Sequence, residues 1–290
     1  MTWLKRHITN ILLWGIALVG IGLIAYPSFS DWWNSMHQSQ MLGAYIAATN
    51  DMDADTASDV LLRAEEYNRM IAQDGPLWEL TDEQELAYNE QLCIDDSGMM
   101  GSIEISKIHV HLPLYHGTGD DVLQSGIGHL AGTSLPIGGE TSHCVVSGHR
   151  GLPSARLFTD LNKLAEGDLF TMTVLNRTMT YEVDQIRVVE PTDFSQLEIE
   201  PGHDYCTLLT CTPYGINTHR LLVRGHRIAN LQGETFVPTD ALQIQAVYII
   251  PFLAVPILLV LMIGTLIYSD REAADRRARR AAIQEYGRPR

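Results

Sequence analysis

The second half of the sequence predicts a mainly β fold, either a closed barrel or a sandwich. Between Gly101 and Arg227, short runs rich in β-branched and aromatic residues alternate with turn-forming residues. Few helical patterns interrupt this region, and strands at such short spacing are typical of closed all-β architectures. The predicted strands are Ser102–Ile105, Val110–Tyr115, Ser142–Ser147, Leu169–Leu175, Thr178–Val189, Tyr205–Leu209 and Arg220–Arg227.

The connections between these strands carry signals of their own. Asp120–Gln124 and Ser154–Asp160 each predict a turn of helix, and Asn176-Arg177 predicts a hairpin tip. Pro191–His203 is acidic and long for a loop, and loops of this kind often bind substrate. Gly126-Ile127-Gly128 lacks the context of a phosphate-binding loop, so we assign it no ligand.

The residues before the strands predict helices. Asp31–Ala48 and Asp82–Asn89 read as helical, and Thr56 is expected to cap a further helix that ends at Ala72. The acidic break Asn50–Asp55 lacks the glycine and the distal glutamate of a calcium loop, so a solvated linker is favoured.

Two apolar segments flank this central region. Ile8–Tyr26 is almost entirely apolar and Ala246–Tyr268 carries no charge, so each is suited to cross a bilayer. The first segment also fits a cleaved signal peptide, because it has a basic start and a modest length. The lack of a clear cleavage site and the aromatic pair Trp32-Trp33 favour a retained membrane helix.

The distribution of charge predicts the topology. Lys5 and Arg6 precede the first apolar segment and seven arginines follow the second, so the positive-inside rule puts both termini in the cytoplasm. The central region is then extracellular and strongly acidic, since the whole chain has a formal net charge of −15. Such a domain is not expected to bind nucleic acid. It would attract cationic partners such as a lysine-bearing protein surface, although the acidity also fits solubility alone.

Cys211 lies where a predicted strand ends. The run Tyr205–Thr210 precedes it, and Thr-Pro-Tyr-Gly-Ile-Asn supplies a turn directly after it. Alternation in the next strand puts Arg220, Leu222 and Arg224 on one face. If the two strands are neighbours, Arg220 places a positive charge beside the sulfur and favours the nucleophilic thiolate.

His149 is the candidate base. It follows the predicted buried strand Cys144–Ser147 and therefore also lies at a strand end. A Cys and a His at two strand ends, with Arg220 nearby, fit nucleophilic catalysis with a proton shuttle and an oxyanion donor. Taken alone, each residue is more commonly a buried thiol or a satisfied polar group.

These motifs resemble the class C sortases, the pilin-polymerising cysteine transpeptidases of Gram-positive bacteria. The resemblance lies in Thr-Cys-Thr-Pro-Tyr-Gly-Ile-Asn-Thr-His-Arg and Ser-Gly-His-Arg-Gly-Leu-Pro, and it extends from about Met99 to Arg227. It implies a closed eight-stranded β-barrel with two flanking transmembrane helices. The implied catalytic residues are His149, Cys211 and Arg220, and Thr210, the motif residue before the nucleophile, is a candidate substrate residue. We expect no cofactor and no metal.

The resemblance also implies a lid over the active site, in residues 74–80. Class C sortases typically carry an Asp-Pro-aromatic triplet there, whereas in this chain Gly75 separates Asp74 from Pro76 and the aromatic residue is Trp78. Trp78 is the expected plug of the site, and whether Asp74 contacts the nucleophile stays open. Packing of Trp78 against the helix Asp82–Asn89 is the alternative.

The substrate is likewise implied by the resemblance. It is a Leu-Pro-x-Thr-Gly-like (LPxTG) sorting signal near the C-terminus of a pilin, cleaved after Thr, and the acceptor is a lysine amine of the next pilin. Membrane lipid is the other expected partner. Two alternatives keep the enzyme class, namely anchoring of proteins to the cell wall and simple peptide hydrolysis. A membrane-tethered binding module with an inert Cys211 is the non-enzymatic alternative.

The remaining cysteines and histidines receive structural interpretations. Cys144 and Cys206 are expected to face each other as buried thiols, since adjacent parallel strands seldom suit a disulfide. Cys93 has no predicted role. His109 and His111 would share a strand face and suit zinc, but no third ligand has a supporting spacing.

The predicted organisation has six parts. They are a cytoplasmic start with a transmembrane helix (1–29), an extracellular helical region with the lid (30–98), the catalytic barrel (99–230), a linker (231–245), a second transmembrane helix (246–268) and a basic cytoplasmic tail (269–290).

Overall fold

The computed structural model describes residues 2–230 and 256–265, together with 267–268, 271–272, 274–276 and 278–279. The chain divides into two compact units, one comprising Met1–Phe29 and Thr239–Arg290 and the other Ser30–Pro238. The helices are α1 (Thr2–Asp51), α2 (Ala54–Asp74), α3 (Asp82–Asn89) and α4 (Asp120–Ser125). The strands are β1 (Met99–Ile105), β2 (Val110–His116), β3 (Ile127–His129), β4 (Ser142–Ser147), β5 (Leu169–Val174), β6 (Arg177–Val189), β7 (Asp204–Thr212) and β8 (His219–Ile228).

The eight strands close into a barrel, which confirms the predicted fold. Their order around the barrel is β1-β2-β3-β4-β7-β8-β6-β5, and β5 pairs with β1 to complete the circle. The pairs β2/β3 and β4/β7 are parallel. Inward side chains such as Phe170, Tyr181, Leu208 and Val223 are fully buried in the interior. Closure leaves no free sheet edge, so every strand has two partners.

The pairing of β4 with β7 confirms the prediction for two cysteines. Cys144 lies directly opposite Cys206. Both thiols are buried and free. Burial raises the pKa of Cys206 well above its usual value, so this thiol stays protonated. The pair therefore packs as part of the core.

β3 is missing from the predicted strands. Its three residues are too short a run to show alternation, and its position depends on parallel pairing with β2. The glycines around it serve close packing, because a Cβ added at Gly128 would lie 2.0 Å from the carbonyl oxygen of Gly117. This contact explains the Gly126-Ile127-Gly128 pattern.

Two predicted connections are wrong in detail. Val174 pairs with Arg177, so the hairpin tip is Leu175-Asn176, where both residues have positive φ. Ser154–Asp160 forms turns and no helix, because Leu157 has a φ of 38° and interrupts a right-handed helix. A short 3₁₀ helix forms directly afterwards, at Leu161–Lys163.

The start of α2 and the position of His109 also differ from prediction. The N-cap of α2 is Asp53, whose carboxylate accepts a hydrogen bond from the backbone amide of Thr56 at 2.9 Å. Thr56 therefore lies inside the first turn. His109 has a φ of 54° in the turn before β2, so it does not share a strand face with His111. The described residues contain no cluster of three or more His, Cys, Asp or Glu side chains suited to a metal ion.

Helices from the N-terminal half pack against the outside of the barrel. Tyr45 of α1 donates its hydroxyl proton to the carbonyl oxygen of Met100 at 2.7 Å. Asn68 of α2 exchanges two hydrogen bonds with the backbone of Leu135. α2 ends at Gly75, whose φ of 85° turns the chain onto the barrel surface. This turn positions the segment predicted to be the lid.

The apolar part of α1 is the one helix in the described part of the chain with the length and composition to cross a membrane. It continues without a break into the segment predicted as the separate helix Asp31–Ala48. Of the second predicted span, residues 246–255 lie outside the described residues, and Pro256–Thr265 forms a short apolar helix. The prediction of two membrane helices stays a prediction.

Candidate active site

Cys211 and Arg220 are direct neighbours across two strands. Near the end of β7, Cys211 pairs with Arg220 at the start of β8. Side chains on β7 alternate, so Leu208 and Thr210 are buried towards the interior, while Leu209 and Cys211 lie on the outer face. Cys211 is half-buried there. The predicted pairing of these two residues on neighbouring strands is confirmed.

The guanidinium of Arg220 is oriented by backbone groups. Its Nη1 donates to the carbonyl oxygens of Asn217 and His219, at 3.3 and 3.2 Å. Asn217 has a φ of 61°, which turns its backbone towards this contact. Among the residues the structure describes, no carboxylate forms an ion pair with Arg220. Its charge and its other donors therefore remain available to a developing oxyanion.

The backbone that carries His149 is fixed to the strand that carries Cys211. Ser147 pairs with Leu209, and the amide of Gly148 donates to the carbonyl oxygen of Leu209 at 3.1 Å. Because β4 and β7 are parallel, His149 follows β4 at the same end of the barrel where Cys211 ends β7. The structure thus brings the three predicted catalytic residues to one end of the barrel.

Thr210 points away from the substrate face. Its side chain is 1% exposed, and its hydroxyl donates to the carbonyl oxygen of Gly148 at 2.7 Å. Gly148 immediately precedes His149, so this bond connects the residue before the thiol with the residue before the imidazole. The geometry indicates a positioning role for Thr210.

Replacing Thr210 with valine should slow peptide cleavage and destabilise the fold only slightly. Valine keeps the shape, loses the hydroxyl and leaves the Gly148 carbonyl unpaired, at a cost of about 1 kcal/mol. Looser placement of His149 should lower the rate of peptide cleavage roughly tenfold. Peptide kinetics and thermal melting measure the two effects, with Thr173→Val as the control because its hydroxyl also bonds to a neighbouring strand, at Thr178. Equal rates for the two variants would contradict this role.

Arg150, which is not among the predicted site residues, forms a second link between the two strand ends. Its Nη1 donates to the hydroxyl of Thr212 at 3.1 Å, and its guanidinium lies 6.0 Å from the ring centre of Tyr214. The ring of Tyr214 packs against Gly151, where a φ of 78° and the lack of a side chain allow the approach. The position of Arg150 directly after His149 is the sequence signal that could have identified this residue.

An apolar surface adjoins Cys211 on the outer face. Val145, Leu197 and Leu222 form a buried cluster, with Trp78 and Leu209 packed against it. Leu209 pairs with Leu222, two residues along the strands from the pair of Cys211 and Arg220. The cluster therefore begins roughly 7 Å from Cys211 along the strand.

Trp78 packs on this cluster, which favours the lid interpretation over packing against α3. Its ring stacks on the ring of Phe194, with 4.6 Å between the two ring centroids. Phe194 lies in the long loop predicted to bind substrate. The amide of Leu77 donates to the carbonyl oxygen of Gly132 at 2.9 Å. A Cβ at Gly132 would lie 2.0 Å from the carbonyl oxygen of Leu77, so glycine is required for this contact. Asp74 is exposed at the end of α2.

The comparisons with known proteins agree with this geometry. Residues 103–228 match the model of the sortase domain. Sortase C1 from Streptococcus agalactiae is 54% identical in sequence, and the match covers 66% of this chain and 100% of that structure, with a TM-score of 0.65. The chain belongs to the sortase family.

Other sortases show how far the similarity extends. Sortase C from Clostridium perfringens, solved with the C-terminal cell wall sorting motif, is 40% identical over 66% of this chain and 99% of that structure, with a TM-score of 0.59. Sortase D from Bacillus subtilis is 30% identical over 131 residues, which is 44% of this chain and 63% of that protein. The chain therefore spans less than two thirds of the length of this curated relative. The two structures described above are a sortase C1 and a sortase C.

Proposed function

We propose that this sortase is a cysteine transpeptidase in which Cys211 is the nucleophile, His149 transfers protons and Arg220 stabilises the oxyanion. The observation that carries the proposal is the direct pairing of Cys211 with Arg220 at the end of the barrel that His149 also occupies. The sortase family of the chain supports the same reaction class.

The reaction has two halves with a covalent intermediate between them. The sulfur of Cys211 attacks the carbonyl carbon of the scissile peptide, the C–S bond forms, and the C–N bond breaks as His149 protonates the leaving amine. An incoming amine then attacks the thioester and gives its proton to His149, and the sulfur leaves as thiolate. Arg220 donates hydrogen bonds to the carbonyl oxygen while it carries negative charge. Water in place of the amine gives hydrolysis.

The proposed donor is an LPxTG-like sorting signal and the proposed acceptor is a pilin lysine. Similar structures support this assignment, since one is a sortase C1 of a streptococcal pilus island and another, from Streptococcus pneumoniae, is described in terms of pilin substrate specificity. The acidity of the chain would attract a lysine-bearing surface. Cell-wall anchoring, with a peptidoglycan amine as acceptor, is the alternative.

A competition experiment tests the acceptor. The full-length enzyme is supplied with a sorting-signal peptide and equal concentrations of a pilin domain with its lysines and a peptidoglycan-derived amine, and the joined products are identified by mass spectrometry. We expect the pilin product to dominate. Predominance of the peptidoglycan product would favour cell-wall anchoring.

The proposed location is the cell membrane, with two passes, an extracellular catalytic domain and both termini in the cytoplasm. Support comes from the apolar part of α1 and from the basic residues at both ends of the chain. Reporter fusions to each terminus in a Gram-positive host test it. A cytoplasmic signal from both fusions is expected, and an extracellular C-terminus would exclude the second pass.

We further assign residues 74–80 as a lid that competes with the substrate. Trp78→Ala should lower the KM for a sorting peptide several-fold and leave kcat nearly unchanged, because a larger fraction of the enzyme is open. Steady-state kinetics measure both constants, and Leu86→Ala on the exposed face of α3 is the control. A raised KM would instead place Trp78 among the groups that bind substrate.

A further inference from the structure

Arg224 forms several polar contacts on the outer face of the barrel. It makes two hydrogen bonds to the carboxylate of Asp184 on β6, at 3.0 and 3.1 Å, and one to Glu200 at 3.4 Å. Its guanidinium lies 4.0 Å from the centre of the Tyr205 ring. The side chain is 17% exposed. The charge-assisted bonds to Asp184 are partly shielded from water and are therefore stronger than surface ion pairs.

These contacts reach the loop between β6 and β7, residues 190–203. Glu200 belongs to this loop and also accepts a hydrogen bond from the hydroxyl of Tyr205 at 3.3 Å. Nearby, the ring of His143 contacts the carbonyl oxygen of Glu198 at 2.8 Å and the hydroxyl of Thr207 at 2.7 Å. Burial lowers the pKa of His143 to about 4, so the neutral ring donates to Glu198 and accepts from Thr207 at neutral pH. The second half of the loop is thus fixed to the barrel.

The middle of the same loop supports the lid. Phe194 stacks on Trp78, and Leu197 is buried in the cluster with Val145 and Leu222. Arg224 lies four residues after Arg220 on β8, roughly 13 Å away along the strand. At that distance an effect on catalysis would pass through the loop.

We propose that Arg224 is a positioning residue: anchored to Asp184 on β6, it holds the 190–203 loop through Glu200 so that Phe194 and Leu197 support Trp78, and it thereby sets how often the lid opens. The inference rests on the proposed function of Cys211 and of the lid. Loss of the bonds to Asp184 and Glu200 should free the loop, weaken the support beneath Trp78 and raise the open fraction.

The test measures the rate at which N-ethylmaleimide modifies Cys211, since this needs no substrate. All variants carry Cys93→Ser, because Cys93 is exposed while Cys144 and Cys206 are buried. The variants are Arg224→Gln, Trp78→Ala, the double variant and Arg224→Lys. Arg187→Gln is the control, because it removes one positive charge from an exposed position on β6. Mass spectrometry of the full-length protein in detergent gives each rate.

Arg224→Gln and Trp78→Ala should each speed modification, by about tenfold for Arg224→Gln. The double variant should be no faster than Trp78→Ala, because both changes act on one opening step. Arg224→Lys should fall between wild type and Arg224→Gln, since lysine keeps the charge and loses the paired donors. Arg187→Gln should match its parent.

Two results would overturn the inference: an unchanged rate in Arg224→Gln, or rate increases that multiply in the double variant. If Arg224→Gln does not fold, Glu200→Gln removes the contact to the loop from the other side and faces the same two criteria. A parent protein whose Cys211 reacts no faster than the buried cysteines would count against the proposed nucleophile itself. The two failures are therefore distinguishable.

Discussion

Cys211→Ala is expected to abolish transpeptidation while the barrel stays folded. Alanine removes the nucleophile, so no thioester forms and the remaining groups accelerate only a weak background hydrolysis. Cys211 is half-buried near the end of β7 and outside the main core, so the cost in stability should be small. Product formation from a sorting peptide and an amine, followed by mass spectrometry, measures the loss.

The control for this prediction is Cys93→Ser, which changes an exposed cysteine in the segment before β1. It should keep full activity. If the Cys211→Ala protein still joined peptide to amine above the background rate, the assignment of the nucleophile would be wrong.

Arg220→Gln should lower kcat/KM by roughly 100- to 1,000-fold, the range typical for loss of an oxyanion donor. Glutamine keeps some hydrogen-bonding capacity and loses the permanent charge and the planar fork of donors of the guanidinium. Arg220→Lys should recover part of the activity, because it restores the charge without the planar fork. Steady-state kinetics with a sorting peptide measure both variants against Arg187→Gln.

The distribution of the Arg220 effect between the two constants is diagnostic. Loss of a group that acts only in the transition state lowers kcat. A rise in KM with an unchanged kcat would show that Arg220 binds the substrate and does not stabilise the oxyanion.

The residues at the strand ends were predictable from sequence because their signals are local. The run before Cys211, the turn after it and the alternation from Arg220 onwards together determine one register, and the structure shows that register. Cys144 and Cys206 follow the same logic on β4 and β7. Short β-rich runs separated by turn residues predicted a closed barrel or a sandwich, and the resemblance to class C sortases favoured the barrel.

The features that sequence did not reveal depend on contacts between distant segments. Trp78 meets Phe194 across more than a hundred residues, and no local pattern indicates which aromatic residue of the long loop it contacts. Thr210 appeared to be a substrate residue because it adjoins Cys211, but inward alternation gives its hydroxyl to Gly148. The N-cap of α2 is Asp53 because a carboxylate competes successfully with the hydroxyl of Thr56 for the first turn.

The most direct test of the account is to trap the covalent intermediate. Full-length protein is mixed with a sorting-signal peptide without an acceptor amine, quenched in acid and digested, and the modified cysteine is identified by mass spectrometry. We expect a thioester on Cys211 that carries the peptide up to its Thr. This thioester should be absent in Cys211→Ala and should form more slowly in Arg220→Gln. Cleavage of the peptide with the acyl group on another residue, or with no acyl-enzyme in any time window, would contradict it.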